Sequence, residues 1–328
     1  LVNRGFGVVT STHGRATIDE DHKASLGAFN MTQAASNIYS KSDLMIVVGS
    51  KLRGNETLNY NMKLPPLVQI DAKDFRGIRN YKLQKFIHGD SKKVLQKLIE
   101  LLPNKLNTDK EFHSDIHQAR LLSESQLLKT LGPYENIAKT LNNIVFNGSH
   151  PWVRDVTIAN STFGNRYVRI SESNLGVHAL GGGIGQGISM AIGSAIANKK
   201  TKTIALIGDG GAMLGISEMI TAVSEKANLV FILMNDQAYG VIENIQDANY
   251  DGHRFYSKLD APDFSLFCKS INLPHQVIQN VEKFRESLEE ALDADGPQMI
   301  EIDMCSIGGF QESFSGPPAG AVNTKEAS

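Results

Sequence analysis

Thr203-Ile-Ala-Leu-Ile-Gly-Asp209-Gly-Gly211 and, further on, Leu229-Val-Phe-Ile-Leu-Met-Asn235-Asp236-Gln-Ala-Tyr-Gly240 decide the fold. Each is an apolar run that stops abruptly at Gly or Asn/Asp. Runs of this kind read as buried strands of a parallel sheet. A helix-length segment, Met213 to Lys226, lies between them. Strand, helix, strand in one sheet is a right-handed crossover, which sets the two strands parallel. Both carboxyl ends then lie on one edge, where open α/β sheets bind their ligands. Asp209 and Asp236 become neighbours in space although residues 210 to 235 separate them.

Two acids at one strand edge repel unless something cationic sits between them. Hard divalent cations such as Mg²⁺ take oxygen ligands and usually complete their shell with substrate phosphates. Gly208, Gly210 and Gly211 carry no Cβ, so N–H groups at the start of the following helix can approach an anion closely. The residues therefore point to a metal-bridged diphosphate site.

Gly208-Asp-Gly210 followed by Asn235-Asp236 resembles the thiamine-diphosphate motif. The wording Asn235-Asp-Gln-Ala-Tyr-Gly-Val-Ile242 is similar to acetolactate synthase-like and benzoylformate decarboxylase-like enzymes. The resemblance implies Mg²⁺ held by the Asp209 and Asp236 side chains and the Ala238 carbonyl. It places thiamine diphosphate against Gly208, Asp209, Gly210, Gly211, Ala212, Asp236, Ala238, Tyr239 and Gly240. Most of the family carries Asn at the position of Asp236, so this chain adds a negative charge there.

The glycine run Gly181-Gly-Gly-Ile-Gly-Gln-Gly187 opens an apolar helix, Ile188 to Ala197. By the resemblance, Ile184 is the apolar wedge that bends the cofactor, and the Gly182 carbonyl accepts its amino group. His178, Ile242 and Glu243 are candidates for the substrate side.

The chain has 328 residues, 41% apolar and 21% charged, with 33 basic and 35 acidic side chains. That length suits two domains. A net charge near zero gives no support for nucleic acid or an anionic membrane as partner. No apolar run reaches membrane-spanning length. Cys268 and Cys305 form no disulfide framework or metal spacing. Both read as small buried hydrophobes in a reducing compartment, and the expected location is cytoplasmic.

In chain order, strands are expected at Val8–Thr10, Leu44–Val48, Leu67–Asp71 and Phe86–Ile87, with helices over 31–41 and 92–102, the latter capped by Asp90-Ser91. Alternation of strands and helices means a parallel α/β sheet. No Gly-x-Gly-x-x-Gly occurs in this part, so it carries no dinucleotide fingerprint. It resembles the Rossmann-like middle domain of thiamine enzymes. FAD is possible there by analogy, but nothing in Gly49-Ser-Lys-Leu-Arg53-Gly-Asn-Glu56 supports it.

Residues 105–132 read as a polar connection with a helix near 111–130, on which His113 and His117 are a solvated face rather than a metal pair. Beyond it, strands are expected at Asp155–Ala159, Gln276–Ile278 and Gln298–Met304, and helices at Val241–Ile245, Asp263–Ser270 and Val281–Asp293. The tail from Gly308 to Pro318 is either a disordered end or a lid. The expected organisation is α/β in two domains, each a parallel sheet flanked by helices: a middle domain over 1–104, a linker over 105–132, and a diphosphate-binding domain over 133–328.

The resemblance further implies a 2-oxo acid substrate, an acetolactate synthase-like carboligase or a benzoylformate-type decarboxylase, and a homodimer or homotetramer. The family's catalytic glutamate belongs to an N-terminal pyrimidine-binding domain, so no catalytic residue is assigned within residues 1–328. On that count a catalytically incomplete fragment is a third reading.

Overall fold

The computed structural model describes residues 1–73 and 80–316. It divides into two compact units, Leu1–Ser11 with Asp21–Ser123, and Thr12–Glu20 with Glu124–Gly316. Both are α/β, each a parallel sheet flanked by helices.

In the first unit, β1 (Met45–Val48), β2 (Leu67–Asp71) and β3 (Leu83–His88) form a parallel sheet in that order. Its helices start where side chains satisfy free backbone N–H groups. Thr32 Oγ1 accepts from Ala35 N ahead of Gln33–Ser40, and Asp90 accepts from Lys93 N ahead of Ser91–Leu101. The strand expected at Val8–Thr10 is only a single bridge from Val8 to Ser25. The segment read as a connection holds the helix Phe112–Lys129, and its Ile116 and Ala119 join the core around Leu26, Ala35 and Ile38. His113 Nε2 lies 3.0 Å from Phe6 O, and His117 Nδ1 3.1 Å from Arg120 Nη2. Each histidine therefore has a protein partner.

In the second unit six parallel strands run in the order β5-β4-β6-β7-β9-β8. They are β4 (Trp152–Arg154), β5 (Gly176–His178), β6 (Thr203–Gly208), β7 (Leu229–Asn235), β8 (His275–Ile278) and β9 (Gln298–Asp303). Every residue of β6 and β7 is buried, as expected for central strands covered on both faces. Alternate side chains serve two separate cores. Ile204, Leu206, Val230, Ile232, Ile300 and Ile302 share one with Leu141, Phe163 and Leu288. Ala205, Ile207, Phe231, Leu233 and Met299 share the other with Ile188, Phe264 and Cys268.

Two expectations fail here. Residues 155–159 are not a strand: β4 ends at Arg154 and a wide helical turn, Asn160–Gly164, follows. The apolar residues of 155–159 mimic a strand, but the Asp155 carboxylate turns the chain by taking up backbone N–H groups. The helix expected over Met213–Lys226 is broken into Asp209–Met213 and Met219–Ser224. Gly215 stands between the pieces with ψ 17, outside helical backbone. The cysteines also differ: Cys268 is buried, its thiol pushed up to about 12 by burial, whereas Cys305 is exposed.

The loop Thr12–Glu20 is held in the second unit by a buried ion pair. Arg15 and Glu20 side chains are 2% and 3% exposed and make a two-pronged contact, one prong being Arg15 Nε to Glu20 Oε1 at 2.8 Å. Arg15 also donates to Val168 O at 2.7 Å, and Glu20 Oε2 accepts Ile170 N–H at 2.9 Å. Removing one partner would strand the other charge in a dry interior. Glu20→Ala is therefore expected to lower urea-unfolding stability by about 3–5 kcal/mol. A loss below about 1 kcal/mol would show that water reaches the guanidinium.

Candidate active site at the strand edge

Parallel pairing sets Gly208 opposite Met234, so the loops after β6 and β7 leave the sheet side by side. Asp209 follows the first strand and is 2% exposed; Asp236 follows the second and is partly buried. Asp209 Oδ1 accepts the N–H of Gly210 at 2.8 Å, so that donor is already engaged. Asp209 Oδ2 is buried with no hydrogen-bond partner. Asp209 is pushed up to about 7, first by burial and then by Asp236, and Asp236 is raised as well, first by burial and then by Glu243. An orphaned carboxylate oxygen beside a second carboxyl is a costly arrangement that a cation relieves. The donor set fits a hard divalent ion.

The turn carrying Asp236 is pinned from outside. Tyr239 N donates to Ser257 O at 2.6 Å and Leu259 N to Gln237 O at 3.0 Å, which sets Ala238 opposite Lys258. Gln237 takes a left-handed backbone, φ 55, uncommon for a residue with a side chain. Gly240 starts the helix Gly240–Asn249. A Cβ there would lie 2.2 Å from Asp236 Oδ2, so only glycine lets the carboxyl sit where it does.

A cavity of about 240 Å³ lies against Asp236, Gly240 and Ile158. Cys305, Phe310 and Phe314 help to wall it. The tail is fastened there: Tyr134 OH donates to Gly308 O, Glu312 N to Thr130 O at 3.0 Å, and Asn244 Nδ2 to Phe314 O at 3.1 Å. Its described part, Gly308 to Gly316, is thus wall rather than loose end; Pro317 and Pro318 lie outside the described residues.

The glycine run sits beside this edge through a residue the sequence reading missed. Asp155 is 1% exposed and its carboxylate accepts N–H groups from Gly185, at 3.1 Å, and Gly187, at 3.1 Å. Burial raises its pKa, and these same N–H groups pull it back. An acid directly after a short buried strand is the available signal, obscured because the apolar pattern puts the strand's start at Asp155, three residues beyond Trp152. Gln186 closes the run on itself, donating to Leu180 O and Gly183 O at 3.0 and 3.1 Å. Gly182 has φ 75, and Ile184 stands at the tip, 39% exposed. Gly211 and Ala212 lie buried in the first turn after β6.

The other candidates are less tied to this strand edge. His178 stacks on His13, centroids 4.5 Å apart, and is pushed down to about 3 by burial, then by Arg154 and His13, so it is neutral. Glu243 is engaged by Arg254 Nη1 at 2.9 Å and Ser257 Oγ at 3.0 Å, and Ile242 is 44% exposed. Glu218, on the broken crossover, bonds Thr221.

Comparison with known proteins fits this geometry. Residues 158–302 match the family described as thiamine pyrophosphate enzyme, C-terminal TPP binding domain, and residues 3–98 match its central domain. A probable acetolactate synthase large subunit of Methanococcus aeolicus is 23% identical over 317 residues, covering 90% of this chain and 53% of that protein. The acetolactate synthase isozyme 1 large subunit of Escherichia coli is 25% identical over 319 residues, covering 93% and 54%. The catabolic acetolactate synthase of Raoultella terrigena is 24% identical over 311 residues, covering 88% and 53%. The chain thus spans about half the length of the curated relatives it matches. Among the described residues, no helix is long and apolar enough to cross a membrane. With both domain families matched in order along it, the chain belongs to the thiamine pyrophosphate enzymes.

Proposed function

We propose that the Asp209–Asp236 edge holds Mg²⁺ and the diphosphate of thiamine diphosphate, in an acetolactate synthase-like carboligase acting on 2-oxo acids. The unpartnered Asp209 Oδ2 facing a second carboxyl carries this reading. Asp209 and Asp236 would give the metal side-chain oxygens and Ala238 its carbonyl. Among the described residues no third His, Cys, Asp or Glu joins them. The rest of the shell would come from phosphate oxygens and water. Gly208, Gly210, Gly211 and Ala212 would flank the diphosphate from one loop, Tyr239 and Gly240 from the other. Ile184 would bear on the middle of the cofactor, and Gly182 O would accept its amino group; Asp155 would keep that loop in shape. The bound cofactor supplies the carbanion chemistry that joins or splits 2-oxo acids. This chain's part is to hold, bend and shield it. The names of the relatives favour carboligation over benzoylformate-type decarboxylation. Nothing at the edge favours FAD. A homo-oligomer in the cytoplasm completes the proposal, since the exposed Ile184 needs a cover.

Calorimetry on the full-length protein is expected to show thiamine diphosphate binding that requires Mg²⁺ and is lost in Asp209→Ala. Equal binding by parent and variant would remove Asp209 from the site.

The raised carboxyls give a second test. A carboxyl whose folded pKa exceeds its unfolded value, near 4, is matched to the fold when protonated, and it costs stability as pH rises through the folded value. Asp209→Asn carries no such cost. In EDTA the variant should melt above the parent at pH 8, with the difference shrinking toward pH 5. A gap independent of pH contradicts the shift.

A third test concerns turnover. The acids near the edge all have partners or the metal to serve: Asp155 the glycine loop, Glu243 Arg254, and Glu301 both Asn235 and His275. None is left to protonate the aminopyrimidine ring, and loss of a general acid costs on the order of 10²–10⁴-fold. Residues 1–328 alone are expected to leave pyruvate unconsumed above the free-cofactor background. Adding a pyrimidine-binding domain should yield acetolactate. Enzyme-like turnover by the 328 residues alone would place the acid among them, and aldehyde release from aromatic 2-oxo acids would favour the decarboxylase.

A further inference from the structure

One buried charge in the second unit belongs neither to the ion pair at Arg15 nor to the residues that line the edge described above. Glu301 lies on β9, two residues from Met299, and so faces the same apolar core as Met299, Phe231 and Leu233. It is only 8% exposed, yet both oxygens are engaged. Asn235 Nδ2 donates to Oε1 at 2.6 Å, and His275 Nε2 lies 2.9 Å from Oε2. His275 stands on β8, across β9 from Asn235, and its Nδ1 is 3.2 Å from Ser265 Oγ on the helix Phe264–Ser270. Asn235 uses its other end to accept the Gln237 N–H at 3.2 Å.

A single file of polar groups, Ser265, His275, Glu301, Asn235 and Gln237, therefore crosses three strands. It stops at the peptide that joins Asp236 to Gln237. That peptide leads into the left-handed backbone of Gln237, a conformation that surroundings must enforce. Burying a carboxylate among Phe, Leu and Met gains little stability, because apolar replacements of buried ion pairs are often neutral or stabilising. A carboxylate so placed makes sense by what it aims.

We propose that Glu301 and His275 are positioning residues. Acting through Asn235, they hold the Asp236-Gln237-Ala238 turn in the one shape that presents its oxygens to a divalent cation. The inference rests on the reading of Asp236 and Ala238 as metal ligands. Glu301 fixes the Asn235 amide so that its NH₂ points to the carboxylate and its oxygen to the Gln237 N–H. His275 keeps Glu301 from swinging away.

The test is calorimetric titration of the full-length protein with Mn²⁺ in the presence of thiamine diphosphate, alongside urea unfolding of the apo protein. Glu301→Ala is expected to weaken Mn²⁺ binding at least tenfold, and Glu301→Gln, which keeps the size and one acceptor, at least threefold. Asn235→Ala should weaken it at least tenfold as well, and adding Glu301→Ala to it should bring no further loss, since both act on one turn. Ile300→Ala is the control: it faces the opposite core, so it should lower urea stability while leaving Mn²⁺ affinity within twofold of the parent. Parent-like Mn²⁺ binding by both Glu301 variants overturns the proposal. So do Asn235 and Glu301 effects that multiply independently, or an Ile300→Ala loss as large as that of Glu301→Ala. Should Glu301→Ala fail to fold, Glu301→Gln decides alone. A parent that binds no Mn²⁺ topples the metal reading itself, and this inference with it; a parent that binds while the Glu301 variants match it topples only the inference.

Discussion

Parallel register between β6 and β7 carries two acids to the same place and leaves neither a way out. Asp209 and Asp236 each follow the last paired residue of a fully buried strand. Neither can retreat without unpairing a central ladder. Burial raises both carboxyls, with Asp236 adding to the shift at Asp209 and Glu243 to that at Asp236, and the surroundings are arranged to keep them there. Ser257 and Leu259 pin the turn from one side, the absent Cβ of Gly240 makes room for Asp236, and the tail helps to wall the cavity. The first unit shares the α/β design without such an edge among its described residues: no pair of acids closes its sheet.

Asp at position 236 sharpens this. An Asn there would accept a metal through its carbonyl oxygen and bring no charge. The carboxylate adds attraction for a cation once ionised, and also a proton that must leave first. The proposed metal binding at this edge would thus be tied more closely to pH than with the amide, in the direction of weaker binding in acid.

The central ladder was legible in the sequence because its signal is local and dense. Five or six apolar residues ending in Gly or Asn/Asp allow few readings, and the strands at 45–48, 67–71, 203–208 and 229–235 lie where that pattern puts them. What could not be read were features decided by partners far along the chain. Asp155 looks like the start of a strand until Gly185 and Gly187 come to it from thirty residues on. Met213–Lys226 has helical content throughout, but the backbone leaves the helix at Gly215. Glu301 sits in an apolar run that gives no hint of Asn235 or His275. Cys305 has the composition of a core residue and the position of a wall. The pair at the strand ends was within reach because two short motifs and one topological rule suffice to place it.

The Arg15–Glu20 clasp has a consequence for how the chain is made. Synthesis runs from the amino end, so both residues leave the ribosome long before Gly164, Val168 and Ile170, the backbone they bind. Until then the two charges pair in water, where such contacts are weak. The clasp cannot close until some 150 further residues have emerged, which at roughly 5–20 residues per second is a wait of about 7–30 seconds. Closing a loop of that span carries an entropy cost that grows only slowly with length. The clasp is therefore a late lock, set after β4 and the turn that follows it have found their places. A nascent chain that stalls before residue 170 would hold only one strand of the second sheet, β4, with its future ion pair still exposed to solvent.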